Sequence, residues 1–198
     1  MRAEIGGAAR EDGGLLSVAV VGSPRRRGNS SLLVDVLLAE LAARGLTTEK
    51  LHLADYRVEP CRGHDDCARR ARCPLGDDDV EFLLSRVYAA DVLVLATPVY
   101  YENVSAQLKA FIDRNVFYYS RERWLRARAV GLLAVSAETG LDDALAALER
   151  YVRLSSDREI PLFRLGGLAE KAGEALADEG LVARVRELAA ALAAAAGV

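Results

Sequence analysis

Val20-Val21-Gly22-Ser23-Pro24-Arg25-Arg26-Arg27-Gly28-Asn29-Ser30-Ser31 is the stretch that decides how this chain is read. A run of small and β-branched apolar residues over 15–21 stops abruptly in a turn of Gly, Ser, Pro and Asn. From about Ser30 the apolar residues recur at helical spacing, at Leu33, Val36, Leu37 and Leu41. Strand, polar glycine-containing loop and helix, in that order, build an anion site in an α/β protein. Loop amides, hydroxyls and first-turn N–H groups converge on one point, and the helix dipole favours negative charge there. The stretch therefore places a phosphate group at the end of the first strand.

The rest of the chain repeats that plan. Residues 47–53 alternate weakly and read as an edge-like second strand. A long connection over 54–76 holds two prolines, His64 and all three cysteines of the chain. A helix follows over about 77–90, with three aspartates in its first turn, where they complement the dipole. Residues 91–97 form a continuous apolar run, the mark of a central parallel strand covered on both faces. That run stops at Thr97-Pro98-Val99-Tyr100-Tyr101-Glu102-Asn103, and the next helix sets Val104, Leu108, Phe111 and Ile112 on one face. Residues 129–135 give another buried strand, followed by the turn Ser136-Ala137-Glu138-Thr139-Gly140 and a helix carrying Leu141, Leu145, Leu148 and Val152. A last strand over 160–165 and an alanine-rich closing helix over 181–195 complete five βα units. The handedness rule winds such units into a right-handed sheet with helices on both faces. Ligands then bind beyond the carboxyl ends of the strands, at the switch point.

With 198 residues, 52% of them hydrophobic and 28% charged, at a net charge of −3, the chain suits one soluble globular domain. Residues 15–198 are taken as that domain and residues 1–14 as a flexible tail, since they lack a signal-peptide core. The charge balance leaves no basic footprint for nucleic acid, and no apolar run approaches the ~20 residues that span a bilayer. An odd number of clustered cysteines argues against a disulfide framework and for a reducing, cytoplasmic setting.

Three phosphate loops are excluded by residue type. A dinucleotide fingerprint needs three spaced glycines, where the turn offers Gly22 and Gly28. A nucleotide-triphosphatase loop needs Gly-Lys, where Asn29 follows Gly28. A low-molecular-weight phosphatase loop needs Arg six residues after its cysteine, where Cys61 and Cys67 are each followed at that spacing by another cysteine.

Against this background three segments resemble the NAD(P)H-dependent FMN reductases and the related iron–sulfur flavoproteins. Residues 22–30 look like their phosphate loop, and 97–114 (Thr-Pro-Val-Tyr-Tyr-Glu-Asn-Val-Ser-Ala-Gln-Leu-Lys-Ala-Phe-Ile-Asp-Arg) like their isoalloxazine loop and following helix. Residues 60–78 are similar to their cysteine segment. The resemblance implies a flavodoxin-like, three-layer αβα fold with five parallel strands in the order 2-1-3-4-5. It implies FMN as cofactor, NADH or NADPH as co-substrate, and a small acceptor such as free flavin or a quinone, reduced in a ping-pong cycle. It also implies a homodimer or higher homo-oligomer, with no nucleic-acid or membrane partner.

Within that frame Ser23, Asn29, Ser30 and Ser31 are donors to the FMN phosphate and Arg25 supplies charge. Arg26 or Arg27 could instead meet a nucleotide phosphate. Backbone groups of Pro98, Val99, Tyr100 and Tyr101 edge the flavin ring, and the tyrosines add a stacking face. Asn103 or Ser105 caps the next helix, aiming its positive end at the ring edge where reduced flavin is negative. Ser136 and Gly140 belong to a third loop beside the cofactor, with fewer glycines than relatives carry. No side chain is assigned a catalytic role, because hydride passes between nicotinamide and flavin directly. The aromatic stretch over 115–124 would cover the flavin, form a subunit interface, or both.

The cysteine segment departs from the iron–sulfur pattern, with Cys61, His64, Cys67 and Cys73 at its spacing and His64 where a cysteine would stand. Three thiolates and an imidazole form a legal ligand set for a cluster or for zinc. In their free state the thiols are expected to be activated by Arg62, Arg69, Arg70 and Arg72. The leading reading is an FMN-dependent oxidoreductase. The alternatives are an iron–sulfur electron-transfer flavoprotein and a non-catalytic flavodoxin-like module.

Overall fold

The computed structural model describes residues 14–70 and 72–198; of the expected N-terminal tail, residues 1–13 lie outside these. The elements in chain order are β1 (Leu16–Val21), α1 (Asn29–Ala42), β2 (Thr47–His52), α2 (Val80–Ala89), β3 (Val92–Tyr100), β4 (Asn103–Val104), α3 (Ala106–Arg114), α4 (Val116–Tyr119), β5 (Ala129–Ser136), α5 (Leu141–Leu154), β6 (Leu162–Leu168), α6 (Glu174–Ala177) and α7 (Glu179–Ala196). Five strands form one parallel sheet, β2-β1-β3-β5-β6. Counted along the chain, these five stand in the order 2-1-3-4-5, as expected. The two-residue β4 is an addition that folds back antiparallel on the end of β3.

The period-2 geometry of a strand divides each central strand between two cores. Val18, Val20, Leu93, Leu95, Val130 and Leu132 face a core closed by α2, α3, α4 and α5. Ala19, Val21, Val92, Val94, Leu133 and Val135 face the other, closed by α1, α6 and α7. All six residues of β1 and all eight of β5 are buried, which is why they read as unbroken apolar runs. Gly131 stands where Leu192 of α7 comes closest, and a Cβ there would lie 2.9 Å from its Cδ1. Among the described residues, no helix is long and apolar enough to cross a membrane.

Several boundaries differ from the sequence expectation: β3 runs on to Tyr100 instead of stopping at 97, and Val104, expected on the helix that follows, lies in β4 because the chain folds back on β3 before α3 begins. The last strand runs later than 160–165 because Gly166 and Gly167, which read as loop, lie within β6. Their missing side chains admit Leu141 and Leu181, and a Cβ on Gly167 would come within 2.7 Å of Leu181. The second helix starts at Val80 rather than at residue 77, because its aspartates are committed elsewhere. Asp79 Oδ2 accepts from Arg57 N (2.7 Å) and Asp78 Oδ2 from Glu59 N (3.0 Å), bracing the incoming loop instead of decorating the helix.

Candidate functional site

The register sets Val21 beside His52 and Ala96, and Thr97 beside Ala134, so the carboxyl ends of β1, β3 and β5 lie side by side. Three polar turns leave the sheet there, over 22–28, 97–105 and 136–140. Ser105, fully buried, knots the first two together. Its Oγ donates to Gly22 O (2.5 Å) and accepts from Leu108 N (3.2 Å), while its own N–H donates to Thr97 Oγ1 (3.1 Å). Of the two residues expected to cap α3, Ser105 does so; the Asn103 side chain accepts from Val104 N inside the hairpin.

In the first turn the loop carbonyls are held from behind. Arg25 O accepts from Ser23 Oγ (3.0 Å) and from Gly28 N (3.0 Å), and Arg26 O accepts from Ser31 Oγ (2.8 Å). Ser31 O accepts from Lys50 Nζ (3.0 Å), and His52 Nε2 lies 3.3 Å from Arg25 O. The N–H groups of Asn29, Ser30 and Ser31 precede the first internal bond of α1, from Leu32 N to Gly28 O. Gly28 allows the close fold, since a Cβ there would stand 2.6 Å from Ser23 Oγ. Ser30 is 1% exposed and its hydroxyl has no hydrogen-bond partner among the described residues. A buried, unpaired hydroxyl costs about 1–3 kcal/mol unless something satisfies it. Here it sits among free amides at a helix N-terminus.

Not every expected donor faces that point. The Asn29 side chain is turned to the far end of the chain, donating to Lys171 O (2.9 Å) and accepting from Gly173 N (2.9 Å). It ties α1 to the connection between β6 and α6, and only its backbone N–H remains for an anion. Ser23 and Ser31 use their hydroxyls within the loop, as described. Arg26 pairs with Asp55 at 2.7 Å, whereas Arg25 and Arg27 are exposed and form no ion pair among the described residues.

The second turn is a tight β3–β4 hairpin with Tyr101 (φ 50°) and Glu102 (φ 60°) at its tip, both in the left-handed region. Side chains in that region carry strain of about 1–3 kcal/mol and persist where surroundings enforce them. The enforcement comes from the third turn: Thr139 Oγ1 donates to Glu102 Oε1 (2.6 Å). Gly140 (φ 81°) lies against the tip so closely that a Cβ would meet Val99 and Glu102 within 2.8 Å. Ser136 Oγ donates to Thr139 O (2.5 Å), fixing the same turn. Tyr101 is fully exposed and Tyr100 half-exposed, beside an open groove of about 510 Å3 lined by Asn103, Val104, Gln107 and Lys109 as well. Sequence reasoning missed the Glu102–Thr139 latch, which joins residues far apart in the chain.

The cysteine segment takes a different form. The buried Arg114 guanidinium makes a double contact with the buried Asp78 carboxylate, donates to Glu59 O (2.8 Å), and donates through Nη2 to Cys73 Sγ (3.4 Å). Arg121 stacks on Phe117 at 4.0 Å and donates to Cys67 O (2.8 Å). Cys61 is exposed and Cys67 and Cys73 are half-buried. Among the described residues no group of three or more His, Cys, Asp and Glu side chains is placed to hold a metal ion. Cys61, His64, Cys67 and Cys73, the ligand set expected for a cluster or zinc, are not gathered into such a group, and a metal there is not supported. Nor are the thiols uniformly activated: burial, with the neighbouring Cys73, Cys61 and Asp66, pushes the Cys67 thiol up, against the weaker pull of Arg121. The aromatic stretch is also divided, Phe117 and Tyr118 being buried while Tyr119 is exposed and meets Trp124 edge-on.

An iron–sulfur flavoprotein of Archaeoglobus fulgidus is 37% identical over 130 residues, 66% of this chain and 58% of that one. The chain spans about half the length of the curated relatives it matches. Among solved structures, RosB with the bound intermediate OHC-RP (8-demethyl-8-formylriboflavin-5′-phosphate) superposes with TM-score 0.71 at 18% identity, covering 92% of this chain and 79% of that one. The NAD(P)H:quinone oxidoreductase of Methanothermobacter marburgensis gives TM-score 0.65 at 21% identity over 89% of this chain and 96% of its own. The family model of NADPH-dependent FMN reductase matches residues 16–156, from the first residue of β1 past the end of α5, and the chain belongs to that family.

Proposed function

We propose that the chain is an FMN-dependent oxidoreductase that uses NADH or NADPH to reduce a small acceptor such as free flavin or a quinone. The observation that carries this reading is Ser30, whose buried hydroxyl lacks a partner beside the unbonded amides that open α1. A phosphate monoester supplies the acceptor oxygens that such a cradle lacks. The cofactor phosphate would be held by Ser30 Oγ and the N–H groups of Asn29, Ser30 and Ser31. Ser23 and Ser31 hold the loop in shape, and Arg25 adds charge from the rim.

The ring of the cofactor would lie along Pro98, Val99, Tyr100 and Tyr101, with Asn103 keeping the hairpin closed and Ser136 and Gly140 flanking it. FMN, when bound, supplies a two-electron carrier between nucleotide and acceptor. The protein's own part is orientation and electrostatics. The α3 N-terminus, fixed by Ser105, adds positive potential near the hairpin, and the strained tip holds Tyr101 outward. An open site at the sheet edge suits two small substrates that visit in turn, in ping-pong fashion. Exposed Tyr100, Tyr101 and Tyr119 suit a site completed by a second copy of the chain, working in the cytoplasm.

Purified protein should be yellow or become so with added FMN, and NADH or NADPH should bleach its visible absorbance anaerobically. A colourless protein that neither takes up FMN nor gains thermal stability from it would contradict the reading.

A further inference from the structure

Behind the first turn, three charged or titratable groups from three segments meet. His52 ends β2, is 6% exposed, and places Nε2 3.3 Å from Arg25 O. That contact requires a hydrogen on Nε2, since a carbonyl can only accept. In the neutral ring the other nitrogen, Nδ1, is then bare. It is buried, has no hydrogen-bond partner among the described residues, and lies 4.0 Å from Asp55 Oδ1. Asp55 in turn holds Arg26 at 2.7 Å. A bare nitrogen turned towards a carboxylate is the poorer of two arrangements. A proton on Nδ1 converts it into a donor aimed at Asp55 and raises the net charge of His52, Asp55 and Arg26 from 0 to +1.

Of the other charges nearby, Arg25 and Arg27 of the same turn are exposed and form no ion pair among the described residues, and the rest are matched. Lys50, two residues earlier on β2, pairs with Asp35 of α1 at 2.7 Å, and Glu40 of α1 pairs with Arg44 at 2.8 Å. On α3, which packs against the turn holding Asp55, Lys109 pairs with Asp113 and Arg114 with Asp78. Val21, the neighbour of His52 on β1, is apolar.

We propose that His52 is a positioning residue whose protonated form, locked between Arg25 O and Asp55, completes the loop and strengthens its hold on the cofactor phosphate. This rests on the FMN reading above and names a control on that same site. Because the loop grips the phosphate and not the ring, riboflavin should not sense the change.

The test compares FMN and riboflavin dissociation constants of the wild-type chain and of His52→Gln from about pH 8 to about pH 6. Gln retains a donor to Arg25 O and cannot become cationic. The phosphate itself titrates near pH ~6, so the ratio of the two proteins at each pH is the quantity that matters. That ratio for FMN should rise about three- to tenfold in favour of wild type as the pH falls, with the riboflavin ratio flat. Asp55→Asn, at a partly exposed position, should give the same trend and serves if the buried substitution disturbs folding. A residue that merely props the loop would lower FMN affinity equally at every pH. A flat FMN ratio in both variants would overturn the proposal while leaving the cofactor reading intact. A wild-type chain that binds neither FMN nor riboflavin would overturn both.

Discussion

The first turn and the cysteine segment look alike in sequence, for both are polar, arginine-rich and rich in groups that bind ligands. In the structure they are opposites. The cysteine segment is braced from within: Asp78, Asp79, Arg114 and Arg121 pair with its backbone and with each other, and the Cys73 sulfur accepts from Arg114, while Asp66 Oδ1 stays buried without a partner among the described residues. The first turn pairs its carbonyls, the Gly22, Arg25 and Gly28 amides and the Ser23 and Ser31 hydroxyls, and leaves the Ser30 hydroxyl and the opening amides of α1 unpaired among the described residues. Residue types nominate a site; what sets the first turn apart is an unpaired buried hydroxyl beside the unpaired amides that open a helix.

The sharpest way to break this contrast is at Arg114. Arg114→Ala leaves the buried Asp78 carboxylate alone and should cost about 3–5 kcal/mol of stability in chemical denaturation. A loss below about 1 kcal/mol would mean that something other than this pair holds the segment. Next in size, Ser30→Glu sets a carboxylate against the phosphate in a partly dehydrated loop. FMN affinity should fall by about 100-fold, and the melting temperature of the cofactor-free protein should fall as well, because a carboxylate replaces a hydroxyl that is 1% exposed. Binding unaffected by that change would move the phosphate elsewhere.

Smaller effects probe the edges of the site. Gly140→Ala forces a side chain into a left-handed position already filled by Val99 and Glu102, and should destabilise the fold by about 1–2 kcal/mol. Its partner measurement is a loosened hairpin, read as faster amide exchange at Tyr101 and Glu102. Smallest is the response of Cys67. Burial holds its thiol above the ordinary range, so the reactive thiolate grows only as pH climbs towards and beyond that raised value. Alkylation followed by mass spectrometry should be slow at neutral pH and accelerate in alkali. Rapid labelling at pH 7 would restore the idea of arginine-activated thiols.

How much of this was legible in sequence follows from how local each cause is. β1, β3 and β5 were plain because burial on both faces demands unbroken apolar runs, and the first turn was plain because a strand, a loop and a helix N-terminus adjoin within 16 residues, 16–31. The misjudged boundary of β6 came from Gly166 and Gly167, whose meaning depends on Leu141 and Leu181 packing over them. The hairpin tip was hidden because such turns favour Asn and Gly, whereas Tyr101 and Glu102 are held there by a latch from another loop. Asn29 was assigned to the phosphate because nothing near it in sequence reveals that its side chain bonds Lys171 and Gly173. The helix expected from residue 77 failed for the same reason: Asp78 answers to Arg114, 36 residues away.

The central claim is that the turn after β1 is a phosphate cradle, and its most direct measurement is a paired titration of the purified chain with FMN and with riboflavin. The two ligands share the ring and differ by the phosphate. If the cradle is as described, FMN should bind at least about 100-fold more tightly, through charge-assisted bonds that riboflavin cannot make. Equal affinities would show that the ring alone is recognised and that the unpaired hydroxyl of Ser30 serves some other purpose.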